Sequence, residues 1–341
     1  MAATATGVEG RNRTSLTGAG RAGAPVGHSF FRLNRRTSER LVLIAFLIPA
    51  LTYVVLFLAY PLYQDISISF QDYGFSALAS GHGTYVGFAN YSAMLSNSTT
   101  IRALVNTLIF TVASVAFQFT IGFGLAVYLN RQFAGSGFLR RFILVPWVIP
   151  FVVTGTIFSL IFATSNGLAN EILEALGLIH SPIGWLTSGN LALTAIIIAN
   201  IWAGVPFNAI LLYSGLQDVP AEQLEAAAVD GANGWQRFRR VTVPSMRPVI
   251  LIVLMLGVVY TVKAFDLVWV LTGGGPANES QLMSTWAYTQ AFTTFNFGTG
   301  TAVANILLVF TFLVGVVYIY ISRAEAAPAA RRVRFGGGAG R

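Results

Sequence analysis

Six stretches of the chain consist almost entirely of apolar residues, and each is close to the length of about 20 residues that a helix needs to cross a bilayer. These stretches are 41–60, 104–129, 142–163, 191–216, 249–271 and 302–321. The hydrocarbon core of a membrane offers no water to the backbone, so a spanning segment of this kind satisfies its own hydrogen bonds as a helix. The pattern therefore predicts an all-α integral membrane protein with six transmembrane helices.

The composition excludes a soluble alternative. The chain has 341 residues, of which 55% are hydrophobic and only 10% are charged, whereas soluble domains contain about 25% charged residues. Too little polar sequence remains to cover a soluble core of this size. The first apolar stretch is longer than the apolar part of a signal peptide and has no small-residue cleavage site before Tyr60 and Pro61. We therefore expect it to be retained as a span.

The residue types present do not predict a metal site, a catalytic centre or a nucleic-acid interface. Cysteine is absent and the three histidines, His28, His82 and His180, lie far apart in the sequence. We therefore predict no metal site, and no group of residues indicates a catalytic centre. The net charge of +8 comes from basic residues without aromatic interleaving, so no nucleic-acid partner is predicted.

Basic residues set the expected orientation. Of the 21 lysines and arginines, seven precede the first span, three follow the second, four follow the fourth and five follow the sixth. Only Arg102 and Lys263 lie elsewhere. Because basic loops stay on the cytoplasmic side, both termini are predicted to be cytoplasmic in a multi-pass protein of the cytoplasmic membrane. Residues 41–323 would form the membrane domain, and the tails 1–40 and 324–341 are predicted to be disordered.

The polar segment 220–248 lies between the fourth and fifth spans and would face the cytosol. Pro220 suits the first turn of a helix, and Glu222 and Glu225 complement the positive end of the helix dipole. Three alanines follow, and Gly231 permits the left-handed cap that ends the helix. A second short helix is expected before Pro244. Such a segment could dock into a groove on another protein or lie on the lipid surface.

Motifs in this segment carry a resemblance to a known family. Glu-Ala-Ala at 225–227, Asp-Gly-Ala at 230–232 and Val-Thr-Val-Pro at 241–244 resemble the EAA signature of permease subunits of bacterial ABC importers. Further runs are similar to the carbohydrate-uptake branch, in its first-permease type, which includes the maltose and glycerol-3-phosphate importers. These runs are GFANY at 87–91, NTLIFT at 106–111, FLRRFILVPWVIP at 138–150, GVPF at 204–207 and FDLVWVLTGGGP at 265–276.

The resemblance implies a type I importer permease fold in which segment 220–248 is a coupling helix that sits in a cleft of a cytosolic ATPase. Matched by position, Glu225 would be the acidic contact to the ATPase and Ala226 and Ala227 the closely packed face. Asp230 and Gly231 belong to the same motif, with Gly231 as the turn that sets the angle of the helix. Small residues at such a contact allow the two backbones to approach closely.

The partners follow from the same resemblance. The chain contains a single lysine, Lys263 within the fifth span, so it has no P-loop and is not expected to be an enzyme. Hydrolysis of Mg-ATP would occur in two copies of a separate cytosolic ATPase, and this chain would bind no cofactor. The resemblance also implies a heterodimer with a second permease and an extracytoplasmic solute-binding protein.

Positions on the fourth and fifth spans are candidates for the solute path. In the maltose-importing members, residues of the two equivalent spans hold the sugar. The matching positions here are Asn200, Gly204, Phe207, Gly257, Tyr260, Thr261 and Ala264. Gly257, Thr261 and Ala264 replace a hydroxyl and two amides of that pattern. Aromatic faces combined with a few amides and hydroxyls suit a sugar ring.

Two further features of the spans yield predictions. Lys263 and Asp266 are three positions apart, so they are expected to share a helix face as an intramembrane ion pair or to contact substrate directly. Four prolines inside the apolar stretches are expected to kink the spans: Pro49, Pro146, Pro150 and Pro206.

The sequence thus predicts a permease that moves a sugar or small oligosaccharide across the membrane by alternating access, coupled to an ATPase through 220–248. Glycerol-phosphate esters or polyols are an alternative class of solute. An ion-coupled secondary carrier would need coupling carboxylates in several spans and no docking helix. A membrane-bound transferase would need acids or histidines clustered at one interface, and the sequence contains no such cluster.

Overall fold

The fold is that of a computed structural model, which describes residues 35–131 and 133–335, with side chains placed for 43–131 and 133–323. Most of the predicted N-terminal tail and the last residues, 336–341, lie outside this range. The chain divides into two units, 1–59 and 60–341, and each is described by itself.

The described part of the first unit is helical. Helix α1 (Arg35–Val54) contains Pro49 and is followed by a π-helical turn, Val55–Ala59. Every side chain placed between 43 and 59 is exposed, although nearly all are apolar. A helix that is apolar on all sides is typical of a membrane span.

The second unit begins with short elements and one long helix. They are α2 (Tyr60–Ser69), β1 (Gln71–Asp72), α3 (Phe75–Ser80), β2 (Thr84–Tyr85), α4 (Ala89–Leu95) and α5 (Ser98–Leu129). The two strands form a small antiparallel pair. Asn97 caps α5, because its side chain accepts hydrogen bonds from the backbone amides of Thr99 and Thr100.

The remaining helices complete the second unit. They are α6 (Ser136–Ile143), α7 (Val145–Val148), α8 (Phe151–Ile161), α9 (Leu168–Ala175), α10 (Gly189–Gln217), α11 (Ala221–Val229), α12 (Gly234–Arg237), α13 (Val243–Ser245), α14 (Arg247–Val262), α15 (Asp266–Leu271), α16 (Met283–Tyr288) and α17 (Phe297–Phe335). Two π-helical turns, Phe238–Thr242 and Thr289–Thr293, continue α12 and α16.

Within the described residues, four helices are long and apolar enough to cross a membrane. They are Leu43–Ser69, Ser98–Leu129, Gly189–Gln217 and Phe297–Arg323. Two bent pairs raise the number to six if each pair is one span: Ser136–Val148 with Phe151–Ile161, and Gly234–Ser245 with Arg247–Val262. The predicted class, an all-α membrane protein, is confirmed.

The predicted third span, 142–163, is not a continuous helix. The helical segments on either side of Ile149 and Pro150 meet at 94°. Ile149 has φ −71° and ψ 127°, because the ring of a following proline disfavours the helical conformation. The kink expected at Pro150 is therefore a right-angled turn. Pro206, in contrast, lies inside the unbroken helix α10.

The predicted fifth span, 249–271, is also wrong as a continuous helix. Helix α14 ends at Val262 and α15 begins at Asp266. The predicted ion pair is wrong as well, since no salt bridge joins Lys263 to Asp266, both of which are described. Lys263 follows the last residue of α14 and Asp266 begins α15. The two residues are therefore not three positions apart on one helix. The Ser284 hydroxyl donates to the Ala264 carbonyl at 2.6 Å, which satisfies a backbone group in the break.

Helices α5 and α10 pack closely at the centre of the second unit. A Cβ on Gly122 would lie 2.7 Å from Cβ of Asn208, so only glycine permits this approach. Five alanines of α10 are buried: Ala192, Ala195, Ala199, Ala203 and Ala209. Lipid supplies no hydrophobic driving force between helices. Small residues stabilise this contact because they allow close van der Waals packing.

Helix α17 continues to Phe335, beyond the predicted domain boundary at 323. Side chains after Arg323 are outside the described set, and the predicted disorder of segment 324–341 stays a prediction.

Candidate functional site

A cavity of about 450 Å³ lies among α5, α7, α10 and α14 and extends to the break before α15. It brings together all seven residues predicted for the solute path: Asn200, Gly204, Phe207, Gly257, Tyr260, Thr261 and Ala264. They come from two helices and the break, at positions up to 64 residues apart in sequence. The structure thus places the predicted residues around one space, which is the geometry that a transport path requires.

Buried amides form one wall of this cavity. The Gln118 amide nitrogen of α5 donates to the Asn200 carbonyl of α10 at 2.8 Å, and the Asn208 amide nitrogen donates to the Gly204 carbonyl at 2.9 Å. The Asn200 side-chain nitrogen is buried and has no hydrogen-bond partner among the described residues. An unsatisfied buried donor is costly, so this amide is available to a solute hydroxyl.

Two glycines of the predicted path differ in their surroundings. A Cβ on Gly204 would lie 2.4 Å from Cδ of Gln118, whereas a Cβ on Gly257 would meet nothing closer than Val115 at 3.5 Å. A side chain at position 204 would therefore displace the Gln118 amide and its hydrogen bond to the Asn200 carbonyl. At Gly257, which is buried on the cavity wall, a Cβ would make only an ordinary contact with Val115.

Aromatic rings form a second wall. Trp147 of α7 stacks on Phe207 of α10 with ring centroids 5.9 Å apart, and Phe207 meets Tyr260 of α14 edge to face at 6.0 Å. The Lys263 ammonium lies 5.3 Å from the centre of the Tyr260 ring. These contacts fix the rings relative to one another and leave Tyr260 more than half exposed.

Lys263 and Asp266 both line the cavity and are exposed. Each charge therefore faces the cavity rather than the other charge. Contact of Lys263 or Asp266 with substrate stays a prediction, whereas the predicted ion pair between them is wrong.

Part of the cavity lining was not predicted from the sequence. Gln118 is an amide inside the apolar stretch 104–129, and a polar side chain at that depth is a signal that could have been used. Trp147 and Phe151 also line the cavity. They lie on either side of the right-angled turn at Pro150, and nothing in the local pattern indicates which way that turn points.

The coupling loop, residues 220–248, has its predicted local structure. Helix α11 ends in a Schellman motif, because the amide of Ala232 donates to the Ala227 carbonyl at 2.9 Å and that of Gly231 to the Ala228 carbonyl at 3.0 Å. Gly231 has φ +80°, as the predicted left-handed cap requires. Asn233 and Gln236 then form a reciprocal capping box at the start of α12.

The outer face of the coupling loop is exposed. Glu225, Ala226 and Asp230 are exposed, as is Gly231, whereas Ala227 is half-buried. Val229 is 88% exposed, although valine is apolar. Isolated exposed apolar side chains are ordinary on protein surfaces, so Val229 by itself does not identify a contact.

An aromatic chain connects the coupling loop to α5. Trp235 stacks on Phe238 at 5.6 Å, and Phe238 contacts Phe123 of α5, also at 5.6 Å. Phe123 stacks on Phe119, the residue that follows Gln118. The loop and the cavity therefore share one helix.

The glycine-rich turn at 273–276 is a loop of defined geometry. Gly273 and Gly274 have φ of +58° and +90°, and the Gly274 amide donates to the Thr272 hydroxyl at 3.2 Å. The Asn106 amide of α5 holds the following segment through the carbonyls of Glu279, at 2.7 Å, and Gln281, at 3.1 Å. Arg102 pairs with Glu279 at 3.2 Å.

Membrane-spanning helices, a cavity lined by polar and aromatic groups and an exposed helical loop together define a multi-span membrane transport protein. Over residues 118–325, the chain matches the family described as binding-protein-dependent transport system inner membrane component, and it belongs to that family. It is a permease subunit of an ABC transporter and a multi-pass protein of the inner membrane. The resemblance stated from the motifs is confirmed.

Two relatives and one solved structure illustrate the similarity. The trehalose/maltose transport system permease protein MalF of Thermococcus litoralis is 33% identical over 278 residues, which are 81% of this chain and 92% of that protein. The sulfoquinovosyl glycerol transport system permease protein SmoG of Agrobacterium fabrum is 30% identical over 287 residues, 84% of this chain and 92% of that protein.

The solved structure is a bacterial alginate ABC transporter in complex with an alginate pentasaccharide-bound periplasmic protein. Its matching chain superimposes with a TM-score of 0.74 at 22% identity, over 86% of this chain and 98% of that chain. At this level of identity the match shows the shared fold.

Proposed function

We propose that this chain carries a sugar or a small oligosaccharide across the cytoplasmic membrane by alternating access, with the cavity between α10 and α14 as the solute path. The observation that supports this proposal is the convergence of the seven predicted path residues on one cavity. A volume of about 450 Å³ lies within the range of about 300–1,000 Å³ that is usual for small-molecule sites.

The chemistry of the lining suits a carbohydrate. Tyr260 and Phe207 offer ring faces and edges to the C–H groups of a sugar, and the Asn200 amide and the Thr261 hydroxyl can bond its hydroxyls. Lys263 and Asp266 contribute one positive and one negative charge, which offset each other overall. This balance favours a neutral solute over a phosphate ester. The two named relatives are described for trehalose/maltose and for sulfoquinovosyl glycerol.

The energy source in this proposal is a separate ATPase that binds the exposed face of α11. Glu225 and Asp230 supply acidic groups for a basic partner, Ala226 allows close approach, and Gly231 fixes the turn. The working assembly is a heterodimer with a second permease, two copies of the ATPase that hydrolyse Mg-ATP, and an extracytoplasmic solute-binding protein. Both termini of this chain then lie in the cytoplasm.

Aromatic truncation tests the solute path. Tyr260→Ala and Phe207→Ala should each lower uptake of a radiolabelled sugar by about tenfold or change the preference among sugars, because each removes a stacking surface worth about 1 kcal/mol beyond its buried area. Tyr320→Ala, at an exposed tyrosine near the end of the candidate span Phe297–Arg323, is the matched control and should transport normally. Unchanged uptake and selectivity in both cavity variants, at equal expression, would show that the path lies elsewhere.

A further inference from the structure

A second, open groove of about 480 Å³ lies on the outside of the turn between α7 and α8. Arg141 lies at one end, and the other lining side chains, between Leu144 and Val153, are all apolar. None of these residues lines the solute cavity. The groove therefore combines one positive charge with an otherwise apolar trough.

The turn at Pro150 sets the orientation of this groove. The segment Ser136–Val148 meets α8 at 94°, so the chain turns by about a right angle where α6 and α7 lead into the apolar helix α8, which at 11 residues is shorter than the roughly 20 that a whole span needs. Phe138 and Phe142 of α6 stack on each other with centroids 6.3 Å apart and are largely exposed. Exposed aromatic residues and arginines on one short helix are typical of the interface between lipid headgroups and acyl chains.

The two adjacent arginines of α6 have different environments. The Arg140 guanidinium lies 4.8 Å from the centre of the Tyr213 ring of α10 and donates to the Ser136 hydroxyl at 3.3 Å. Arg141 is exposed at the groove and forms no ion pair with another described residue. Arg140 thus holds α6 against α10, whereas Arg141 can contact a molecule outside the protein.

Tyr213 lies four residues before the end of α10, which leads into α11. The groove and its arginine therefore lie at the same end of the helix bundle as the coupling loop. This is the end at which basic residues concentrate in the sequence.

We propose that this groove binds an anionic phospholipid, with the headgroup phosphate on Arg141 and an acyl chain along the apolar trough from Leu144 to Val153. A basic residue beside an apolar groove complements the anionic headgroup and the apolar acyl chain of such a lipid. The other lining side chains of the groove are apolar, so Arg141 alone would hold the headgroup. Lipid bound here fixes the depth of the Pro150 turn in the membrane, next to the wall that carries Trp147.

Photocrosslinking tests this site in the assembled transporter. The complex is reconstituted in vesicles of phosphatidylcholine that contain a small fraction of either phosphatidylglycerol or phosphatidylcholine with a photoreactive group on one acyl chain. Labelled peptides are then mapped by mass spectrometry. We expect labelling of residues 144–153 to be about fivefold greater from phosphatidylglycerol than from phosphatidylcholine, the preference expected for one arginine near an anionic headgroup.

Three variants sharpen the result. Arg141→Gln should remove the preference for phosphatidylglycerol, and Arg131→Gln, an exposed arginine that does not line the groove, should keep it. Val148→Trp adds bulk to the trough without removing Arg141 and should lower labelling by both lipids. Equal labelling by the two lipids in the unmodified protein, or a preference that survives Arg141→Gln, would overturn the proposal. So would crosslinks from a photoreactive residue at position 148 to another polypeptide of the complex instead of to lipid.

Discussion

The cavity wall and the coupling loop are built in opposite ways. At the cavity, the hydrogen bond from Gln118 reaches the Asn200 carbonyl, 82 positions away in sequence. In the coupling loop, the Schellman motif and the capping box join residues no more than five positions apart. The cavity is therefore a product of packing between distant helices, whereas the loop is defined by its own short sequence.

Glycine shows the same difference on a smaller scale. Gly204 is required because the Gln118 side chain occupies the space of a Cβ, whereas Gly231 has open space around it and is required by its φ of +80°. A substitution at the first position disturbs a neighbouring helix, and one at the second disturbs only the local backbone. Substitutions in the two regions should therefore have separate effects. Those in the cavity wall should change solute transport, and those in the coupling loop should change binding of the ATPase.

Charge reversal in the coupling loop should have the largest effect. Glu225→Lys places a cation where we propose that a basic partner docks, and it should weaken capture of the ATPase and sugar uptake by at least about thirtyfold, the cost of a disrupted interfacial charge pair. Co-purification from membranes and radiolabelled uptake measure the two quantities. Glu174→Lys reverses an exposed acid on α9 and should leave both unchanged. Normal capture by Glu225→Lys would remove this residue from the interface.

Overpacking of the cavity wall should have the next largest effect. Gly204→Ala forces Gln118 away from α10, at a cost of about 1–3 kcal/mol, and should lower uptake by about tenfold while capture of the ATPase stays normal. Gly124→Ala, on the exposed side of α5, is the matched control, because a Cβ there would meet nothing within 4 Å, and its uptake should stay within about twofold of normal. Equal losses in the two variants would mean that the Gln118 contact does not shape the path.

The backbone of the coupling loop should give the smallest effect. Gly231→Ala places a Cβ on a left-handed residue at a cost of about 1 kcal/mol, and should weaken capture of the ATPase by about fivefold. Gly231→Asn should retain most of the binding, because asparagine adopts this conformation more readily. Capture measured by titration of the ATPase distinguishes the two. An alanine variant that binds as tightly as the unmodified protein would show that the angle of the turn is not critical.

Local patterns in the sequence predicted the features that depend on local physics. The continuous apolar stretches 104–129 and 191–216 lie within α5 and α10, and the cap at Gly231 follows from glycine's freedom at positive φ. The spans at 142–163 and 249–271 were predicted as single helices, and both are broken. Pro150 breaks its span and Pro206 does not, so the presence of proline alone does not determine the outcome.

The break between α14 and α15 had no signal of its own. Lys263, Ala264 and Phe265 include neither glycine nor proline, and the break is held by a contact from Ser284, 20 positions away. Likewise, the resemblance to a family located the α10 and α14 side of the cavity, but Gln118 and Trp147 reach it only through tertiary packing. Positions that depend on distant partners cannot be read from a local pattern.

The two helices on either side of the break, α14 and α15, both contact α10, and α15 also packs closely on α8. Val270 of α15 packs on α8 so closely that a Cβ on Gly155 would lie 2.9 Å from it, whereas Val249 of α14 is held as tightly against Gly215 of α10. A tilt of α14 can therefore be absorbed by the dihedral angles of Lys263, Ala264 and Phe265, while α15 keeps its place on α8. All three of these residues line the cavity, so the break between the two helices is also part of the proposed solute path.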